Sequence, residues 1–412
     1  MPIVRKCTLI LCLFLCLLTG VSCSREGEYD PLRGYRHVLI YCGLGYNNLS
    51  SYLEDNLADL KSGLLPELDR DLAVVAFCHN TAKDFDYGTP TSPVLVRIYR
   101  DRGMTRTDTL KVYPESMESA SASAIREMML DVKEMFPSES YGMLFSSHAS
   151  GWIPVGYSSS GERRGIMLME YGPDPELPLT KTIGAQYEGS SSNSLEIDIR
   201  DFAQAIPMHL DYMIFDACLL GSVEFAWELK DVCDRIVFSP TEVLAYGFVY
   251  NTLVKNLMAG REPDLETVCR EYYERYDNME GLNRSATVTL VDCSKLDRLS
   301  EAFARIVASC GNRLPEIDRS DVQKYFYDDG RFFFYYDLRD LAAAMNPDSG
   351  LLEELDSALR ECVVYHAETP SFFFLKLERC CGLSVYFPSQ DWPVLNGYYG
   401  GLGWNQATGL VN

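Results

Sequence analysis

The sequence lacks several patterns that would assign its class directly. After the first 22 residues it has no apolar run of membrane length, and it contains no internal repeat and no low-complexity block. The motifs HExxH, GxSxG, the phosphate-binding GxxxxGK followed by Ser or Thr, and paired CxxC are also missing. These motifs build zinc sites, nucleophilic serines, nucleotide sites and redox or zinc-binding cysteine pairs, so their absence argues against those common classes.

Positive charge is scarce. The chain has 37 Lys and Arg against 59 Asp and Glu, which gives a net charge of −22. A chain this acidic is not expected to bind DNA, RNA or an anionic membrane face by bulk attraction. It could attract basic peptides, although an acidic exterior that only keeps the protein soluble explains the charge equally well.

The cysteines form no recognisable disulfide framework. Of the 14 in total, three lie in the first 22 residues, and the ten that follow Cys23 have no repeating spacing. We therefore expect most of these ten to be buried as small apolar side chains. If one of them is kept free as a nucleophile, the rest are odd in number and cannot all pair.

The first 22 residues are predicted to be an export signal rather than part of the fold. Two basic residues precede the apolar run Leu9–Leu18, which is too short for a permanent membrane span. Cys23 follows in an arrangement that resembles a bacterial lipoprotein cleavage site, although Gly20 stands where such sites usually have Leu. We expect Cys23 to carry lipid, residues 23–34 to form a tether, and the protein to be anchored in the cell envelope, at the outer membrane or cell surface. Plain secretion and an uncleaved anchor are the alternatives.

Strand and helix patterns alternate along the chain, which predicts an α/β fold with a mostly parallel sheet flanked by helices. Short continuous apolar runs indicate buried strands, and apolar residues spaced by three or four indicate helices. We predict a core at 35–262 and a mainly helical C-terminal lobe at 263–412 that returns a late strand, Gly382–Phe387, to the sheet. The other predicted elements are strands at 36–42, 71–77, 141–147, 212–215, 235–238 and 285–291, a hairpin over 94–112, and helices at 49–62, 119–136, 197–206, 221–229, 264–278, 294–309, 337–345 and 350–365.

Two predicted strands end at a reactive side chain that is followed by small residues. One strand leads into His148, and another leads to Cys218. Ligands bind beyond the carboxyl ends of strands in an open parallel sheet, so neighbouring strands would bring these two tips together. A histidine beside a cysteine favours the thiolate needed for nucleophilic attack, and the helix predicted after Cys218 would point its positive end at the sulfur. The backbone amides of Ala149 and Cys218 could bind a developing oxyanion.

Each of these residues alone has a more common structural interpretation. A cysteine or a histidine at the end of a buried strand is more often part of the core than of a site. His79 also ends a strand and is a second candidate for the base. Its neighbours Cys78 and Asn80 lack the small-residue turn that lets a substrate approach closely.

The two tips together resemble the motifs of a known family. Ser147–Trp152 is similar to the histidine motif of the clostripain family of cysteine peptidases, and Phe215–Glu224 is similar to its nucleophile motif. The resemblance implies a caspase-like fold and an endopeptidase in which His148 is the base and Cys218 the nucleophile of a thioester acyl-enzyme. Supporting similarity lies at Asp198–Phe202, Ser239–Glu242 and Gly382–Pro388, and the resemblance covers roughly residues 36–405.

The chain departs from the family pattern in the loop after the histidine. Ala149 stands where the family has glycine. Its backbone N–H can still serve an oxyanion if its φ is negative, whereas a positive φ would strain it.

The second departure concerns the substrate pocket. The family favours Arg or Lys before the cleaved bond and uses acidic residues at the pocket floor. Asp216 fits one of them, because it lies two residues before Cys218 on an extended segment and faces the same side; a purely structural carboxylate is the alternative. Tyr246 or Ala245 stands in place of the second acid, and Glu242 could compensate. We expect cleavage after Arg or Lys, with an altered or apolar preference as the alternative.

Further expectations come from the family resemblance. Related enzymes mature by cutting themselves between the histidine and the cysteine, where the irregular segment 153–195 offers Arg163, Arg164 and Lys181; an ordinary surface loop is the alternative. Some relatives use calcium, but no loop here has regular acidic spacing, so no metal or other cofactor is expected to be required. We expect a monomer whose partners are peptide or protein substrates.

An active endopeptidase is the leading hypothesis. Its main rival is a catalytically inactive surface lipoprotein that keeps the fold and binds peptides or proteins. A serine or metal hydrolase is the third option, and it predicts inhibition by a serine-directed phosphonate or by a chelator.

Overall fold

The computed structural model describes residues 29–411 except residues 31, 84–85, 87–88, 156, 158–196 and 327–333. The expected export signal, the lipidation candidate Cys23 and the self-cleavage candidates Arg163, Arg164 and Lys181 lie outside the described residues. Within the described part, no helix is both long and apolar enough to cross a bilayer.

A nine-stranded sheet forms the centre of the described chain, in the order β10-β8-β7-β6-β5-β1-β2-β3-β4. The five strands from β7 to β2 run parallel, and the strands beyond them on both sides pair antiparallel. The strands are β1 (His37–Gly45), β2 (Leu72–Asn80), β3 (Val94–Asp101), β4 (Met104–Val112), β5 (Tyr141–Ser146), β6 (Leu210–Asp216), β7 (Cys233–Phe238), β8 (Thr287–Asp292), β9 (Tyr336–Asp337), β10 (Val363–Glu368), β11 (Ser371–Phe372), β12 (Leu375–Lys376) and β13 (Ser384–Val385).

Helices cover both faces of this sheet. They are α1 (Ser50–Ser62), α2 (Ala122–Met135), α3 (Ile199–Ala205), α4 (Val223–Leu229), α5 (Tyr250–Met258), α6 (Leu265–Asp277), α7 (Leu296–Cys310), α8 (Leu338–Ala344), α9 (Ser349–Cys362), α10 (Pro393–Tyr399) and α11 (Gly403–Thr408). The connection from β1 to β2 runs one way along the sheet, and those from β5 to β6 and β7 run the other way. Because parallel crossovers are right-handed, α1 lies on one face and α3 and α4 on the opposite face. The contacts agree, since α1 packs on α5 while α3 packs on α2 and α4.

The parallel strands are buried along almost their whole length, as a sheet covered on both faces requires. Every residue of β1 and of β5 is buried. The same core continues past residue 262 through Phe303 and Leu355 to Trp404. The division predicted at residue 262 does not coincide with a break in this core, and it stays a prediction.

Two expectations for the C-terminal part were wrong. The helix predicted over 350–365 ends at Cys362, and Val363–Glu368 forms strand β10 instead, in line with its β-branched start. The segment Gly382–Phe387 does not join the nine-stranded sheet. Its Ser384 and Val385 pair with β9, and the Ser384 N–H donates to the carbonyl of Gly221 in the turn after β6. The hairpin over 94–112 is confirmed as the antiparallel pair β3 and β4.

The carboxyl ends of β1, β5 and β6 lie side by side at one edge of the sheet. The chain leaves β1 towards one face and leaves β5 towards the other. Such a reversal between neighbouring parallel strands opens a crevice, and in α/β sheets this crevice is where ligands bind. The fold therefore directs attention to the loops after these three strands.

Candidate active site

The register of β5 and β6 sets the positions of the two predicted reactive residues. The strands are paired in parallel up to Ser146 opposite Asp216. His148 and Cys218 each follow two residues after this last pair. Neighbouring strands lie about 4.8 Å apart, so the backbone leaves the sheet at adjacent points on the way to the two residues. The structure thus brings both segments to one edge of the sheet, as the sequence predicted.

His148 is 5% exposed, and its Nε2 atom forms a hydrogen bond with Oδ1 of Asn48. Asn48 lies in the loop between β1 and α1, 100 residues earlier in the chain. Sequence analysis missed this residue. Its position could have identified it, because it lies just past Gly45, where the neighbouring parallel strand β1 ends.

Cys218 is 1% exposed, and its sulfur is held by the segment that follows β7. The Val243 N–H donates to Sγ at 3.2 Å, and the next residue along, Leu219, donates its N–H to the carbonyl of Thr241 at 2.9 Å. Leu219 has a φ of +59°, a left-handed conformation that is costly for a leucine. The turn after Cys218 is therefore held in shape by its neighbours.

The expected helix after Cys218 begins only at Val223 and is 7 residues long. One of its N-terminal amides already has a partner, because the Ser222 side chain accepts from the Phe225 N–H at 3.2 Å. Helix-end effects fall off within one turn. The donor in contact with the sulfur is the Val243 amide, so the predicted helix-end role is replaced by this hydrogen bond.

The loops after His148 and Cys218 touch at Gly151. Its φ is +64°, and a Cβ atom here would lie 2.7 Å from the carbonyl oxygen of Leu219 and 2.7 Å from the ring of Tyr335. The Tyr335 hydroxyl donates to the carbonyl of Ser150. Only glycine combines this backbone conformation with so close an approach.

Two further residues of the motifs, Glu224 and Trp152, anchor the same loops. Glu224 Oε1 accepts hydrogen bonds from the Tyr386 N–H at 2.8 Å and from the Tyr399 hydroxyl at 2.6 Å. The Trp152 ring lies against both of these tyrosines, at centroid distances of 4.8 Å and 5.1 Å. Burial raises the pKa of Glu224, which favours its neutral form. This cluster ties the loop after His148 to helix α4, which follows Cys218.

Ala149, the residue in place of the family's glycine, is 2% exposed. Among the described residues, positive φ angles outside glycine occur at Arg102, Leu219, Asn346 and Phe373, and Ala149 is not one of them. The alanine therefore costs no backbone strain at this position. The condition set for an oxyanion role of its N–H is met, and the role itself stays a prediction.

Asp216 is fully buried at the carboxyl end of β6. Its Oδ2 accepts hydrogen bonds from the Ser146 hydroxyl at 3.0 Å and from the Tyr250 hydroxyl. A Cβ atom at Gly247, whose φ is +65°, would lie only 2.4 Å from the same oxygen. In this conformation the carboxylate is a structural centre for the surrounding loops, which is the alternative that the sequence left open.

Glu242 and Tyr246, the other substrate-pocket candidates, lie in the segment after β7. Glu242 is 7% exposed and directly precedes Val243, the residue whose amide contacts the sulfur of Cys218. Tyr246 is 40% exposed, and its ring lies edge-on to that of Tyr52 with 6.1 Å between centroids. Tyr246 is thus the most accessible of the predicted pocket residues, beside an aromatic neighbour that sequence analysis did not identify.

His79 is not placed to act on Cys218. It lies on β2, three strands away from β6 in the sheet order. Its Nδ1 bonds Ser119 Oγ at 2.6 Å and its Nε2 bonds the carbonyl of Thr91 at 3.1 Å. Burial lowers the pKa of His79 to about 4, so the ring is neutral and its hydrogen bonds are satisfied by the core.

The described side chains were considered as possible metal ligands. Within the described ranges, no group of three or more His, Cys, Asp or Glu side chains could hold a metal ion. The ten cysteines after Cys23 are all free thiols. The expectation that no metal or other cofactor is required stays a prediction, with calcium suggested by the family resemblance alone.

Comparison with known proteins finds similarity to one peptidase family in sequence and to solved protease structures in fold. Residues 169–365 match the clostripain family of peptidases, a segment that contains Cys218 and not His148. Clostripain from Hathewaya histolytica is 21% identical over 410 residues, which covers 86% of this chain and 74% of that protein.

Two solved structures share the fold over most of their length. An inactive zymogen of a C11 protease from Parabacteroides distasonis has a TM-score of 0.74 and 23% identity, with 92% of this chain and 99% of that chain covered. A secreted C11 cysteine protease from Bacteroides thetaiotaomicron, in complex with an irreversible peptide inhibitor, has a TM-score of 0.71 and 20% identity, with 91% and 99% covered. The predicted α/β class is confirmed. The chain is therefore similar to the clostripain family of cysteine endopeptidases, in sequence over the matched segment and in fold over about nine-tenths of its length.

Proposed function

We propose that this protein is a cysteine endopeptidase in which Cys218 is the nucleophile and His148 the general base. The observation that carries the proposal is the pairing of β5 with β6, from which both residues follow at the same distance after Ser146 and Asp216. The similarity to clostripain-type proteases supports the same chemistry.

The reaction would proceed through a thioester. His148 takes the thiol proton of Cys218, and the thiolate attacks the carbonyl carbon of the cleaved bond. The imidazolium then gives its proton to the leaving amine, and water hydrolyses the thioester with His148 again as base. The N–H groups of Cys218 and Ala149 would bind the oxyanion, and the non-positive φ of Ala149 supports its part.

Substrates are proposed to carry Arg or Lys before the cleaved bond. Asp216 lies two residues before the nucleophile, and Glu242 directly precedes the residue that contacts its sulfur. Both side chains are buried, where the attraction of an acid for a cation is weakly screened. The net charge of −22 would draw basic peptides towards the molecule.

We further propose that the described conformation is latent. His148 and Cys218 are 5% and 1% exposed, and the segment carrying Val243 lies against the sulfur. A relative with the same fold is described as an inactive zymogen. Self-cleavage at Arg163, Arg164 or Lys181 between the two reactive residues would then release the site.

Export with a lipid anchor at Cys23 is proposed from the first 23 residues of the sequence. A relative with the same fold is a secreted protease, which supports export. The protein would act at the cell envelope as a monomer on peptide or protein substrates, with no cofactor.

Peptide cleavage by the purified protein tests the proposal. A positional library of fluorogenic peptides should show cleavage after Arg or Lys that is blocked by iodoacetamide and unaffected by a chelator or a serine-directed phosphonate. Cys218→Ala and His148→Ala should each lower kcat by about 10³-fold or more. Cys310→Ala, which removes another buried thiol on α7, should leave activity unchanged.

Each failure has its own meaning. If no peptide of the library is cleaved, before or after limited trypsin treatment, the chain is a binding protein on a peptidase fold. Inhibition by the phosphonate or the chelator would instead point to a serine or metal hydrolase. Self-cleavage is tested separately by blotting: wild type should be clipped and Cys218→Ala should stay full length, and identical bands would reject it.

A further inference from the structure

The loop between β1 and α1 is built to present one side chain to His148. Asn47 is fully buried; its Nδ2 donates to the carbonyl of Leu44 at 3.0 Å, and its Oδ1 accepts from the Leu49 N–H at 2.8 Å. These bonds fix the turn on both sides of Asn48. The amide side chain of Asn48 then meets Nε2 of His148.

The same turn is fastened to the histidine strand. The Ser147 hydroxyl donates to the carbonyl of Leu44 at 3.0 Å, so Ser147 and Asn47 share one acceptor at the end of β1. On its other side, Leu49 packs with Leu53 of α1 and with Ala245, in the segment that follows Val243. The placement of Asn48 against the imidazole is therefore held by backbone and core contacts on either side.

The chemistry of this contact selects one form of the imidazole. A neutral histidine carries a proton on one ring nitrogen and a lone pair on the other. If the amide oxygen Oδ1 of Asn48 accepts the proton of Nε2, the lone pair is on Nδ1. Nδ1 is then the atom that can take a proton from a thiol, and the oxygen stabilises the imidazolium once it forms.

We propose that Asn48 is a positioning residue of the active site, which orients His148 and holds it in the Nε2–H tautomer with Nδ1 as the base towards Cys218. The inference rests on the proposed function for its catalytic consequence. The site would then be a triad of Cys218, His148 and Asn48. No covalent step changes, because Asn48 keeps its own protons throughout.

Kinetics give the first test. Asn48→Ala should lower kcat by about 10- to 100-fold with KM changed little, since no substrate contact is lost. Asn48→Asp should recover part of the rate and move the acid limb of the pH profile of kcat/KM upward by about one pH unit, because a carboxylate favours the imidazolium and an imidazolium cannot take the thiol proton. The control Asn278→Ala removes an exposed amide that bonds only the backbone of its own helix at Glu274, and it should match wild type.

Nuclear magnetic resonance gives a test that does not need turnover. In Cys218→Ala protein, the ring ¹⁵N shifts of His148, assigned by the signal lost on His148→Ala, should report the Nε2–H tautomer. Adding Asn48→Ala should weaken or reverse that preference. An Nδ1–H tautomer, or shifts unaffected by Asn48→Ala, would overturn the proposal even if the wild type is an active peptidase.

The kinetic and spectroscopic results together distinguish failure of the proposed peptidase function from failure of the proposed role of Asn48. Inactive wild type with an Asn48-dependent tautomer would reject the peptidase and keep the positioning role. Active wild type with Asn48→Ala at full kcat would keep the peptidase and reject the positioning role. Thermal unfolding of each variant guards against mistaking loss of the fold for loss of orientation.

Discussion

At the residue scale, position 246 offers a direct test of substrate preference, because a tyrosine stands there in place of the acid that the family resemblance implies. Tyr246 is 40% exposed and lies beside Tyr52, and the next residue, Gly247, approaches the carboxylate of Asp216. A tyrosine ring can attract a cation through its π face but carries no charge. In the proposed substrate pocket, Tyr246 would therefore attract a basic side chain less strongly than a second acid would.

Replacing Tyr246 by aspartate should restore that second charge. Tyr246→Asp should raise the ratio of kcat/KM for Arg or Lys peptides over Leu peptides by about tenfold, because one added ion pair near a partly buried acid contributes about 1 to 2 kcal/mol. Tyr246→Phe is the matched control and should leave the ratio close to wild type. A ratio that stays constant or falls with aspartate would place the specificity pocket elsewhere.

The sequence predicted His148 and Cys218 as a candidate pair but did not predict the residues in contact with them. His148 and Cys218 each follow an apolar strand, and this pattern is visible in one dimension. The contact of Asn48 with His148 depends on which strand lies beside β5, and that of Val243 with Cys218 depends on a loop folding back. Such contacts are set by strand order and loop path, which periodicity does not encode.

At the scale of elements, the structure explains why the two motifs extend beyond the reactive residues. Glu224 lies in the first turn of α4, and its carboxyl group accepts from Tyr386 and Tyr399, which both pack against Trp152. The carboxyl is buried and its pKa is raised by that burial. A neutral side chain with the same acceptor should therefore serve equally well.

This anchor gives a stability prediction. Glu224→Gln should change the free energy of unfolding at pH 7 by less than about 1 kcal/mol, whereas Glu224→Ala should cost about 2 to 4 kcal/mol because two donors lose their acceptor in the core. Glu228→Gln, on the same helix, is the comparison for a less buried carboxyl. Denaturant unfolding measures all three, and equal losses for Gln and Ala at position 224 would show that charge rather than hydrogen bonding matters.

The errors in element prediction have a common physical cause. The apolar spacing of α9 continues into Val363 and Val364, so the pattern extends the helix to where β10 has begun. Gly382–Phe387 has the apolar texture of a central strand because it is buried, but its partners are β9 and the turn at Gly221. Burial was predictable in both cases, and the choice of partner was not.

At the scale of the whole molecule, two buried histidines link stability to pH. Burial lowers the pKa of His37 and of His79 to about 4 in the folded protein, against an ordinary value of 6.5. His37 bonds Ser140 and Tyr212, and His79 bonds Ser119 and the backbone of Thr91, so both are neutral parts of the core.

Acid should therefore destabilise the fold before its carboxylates titrate fully. Between pH 6.5 and 4 the unfolded chain binds a proton at each histidine while the folded chain does not, so the free energy of unfolding falls as pH falls, by up to about 3 kcal/mol for each histidine. His79→Gln should flatten this dependence. A stability that is constant from pH 6.5 to 4 would contradict the burial of both rings.

The sequence constrains the arrangement of the parallel core strands more than it constrains how many strands the sheet contains. Alternating strands and helices with right-handed crossovers leave few arrangements, and the five parallel strands adopt one of them. The antiparallel strand β8 was predicted over 285–291, whereas β10 forms partly where a helix was expected, and the core continues through this region. Pairing across such sequence distances is decided by packing that no local pattern records.

The central claim is that Cys218 is the nucleophile of a peptidase, and labelling by an irreversible peptide inhibitor tests it most directly. The protein is incubated with a chloromethyl ketone peptide ending in Lys, and the adduct is located by peptide mass spectrometry. One adduct on Cys218, lost in Cys218→Ala and slowed in His148→Ala, is the result the account predicts. Labelling of other cysteines with Cys218 untouched, in protein that still cleaves peptides, would contradict it.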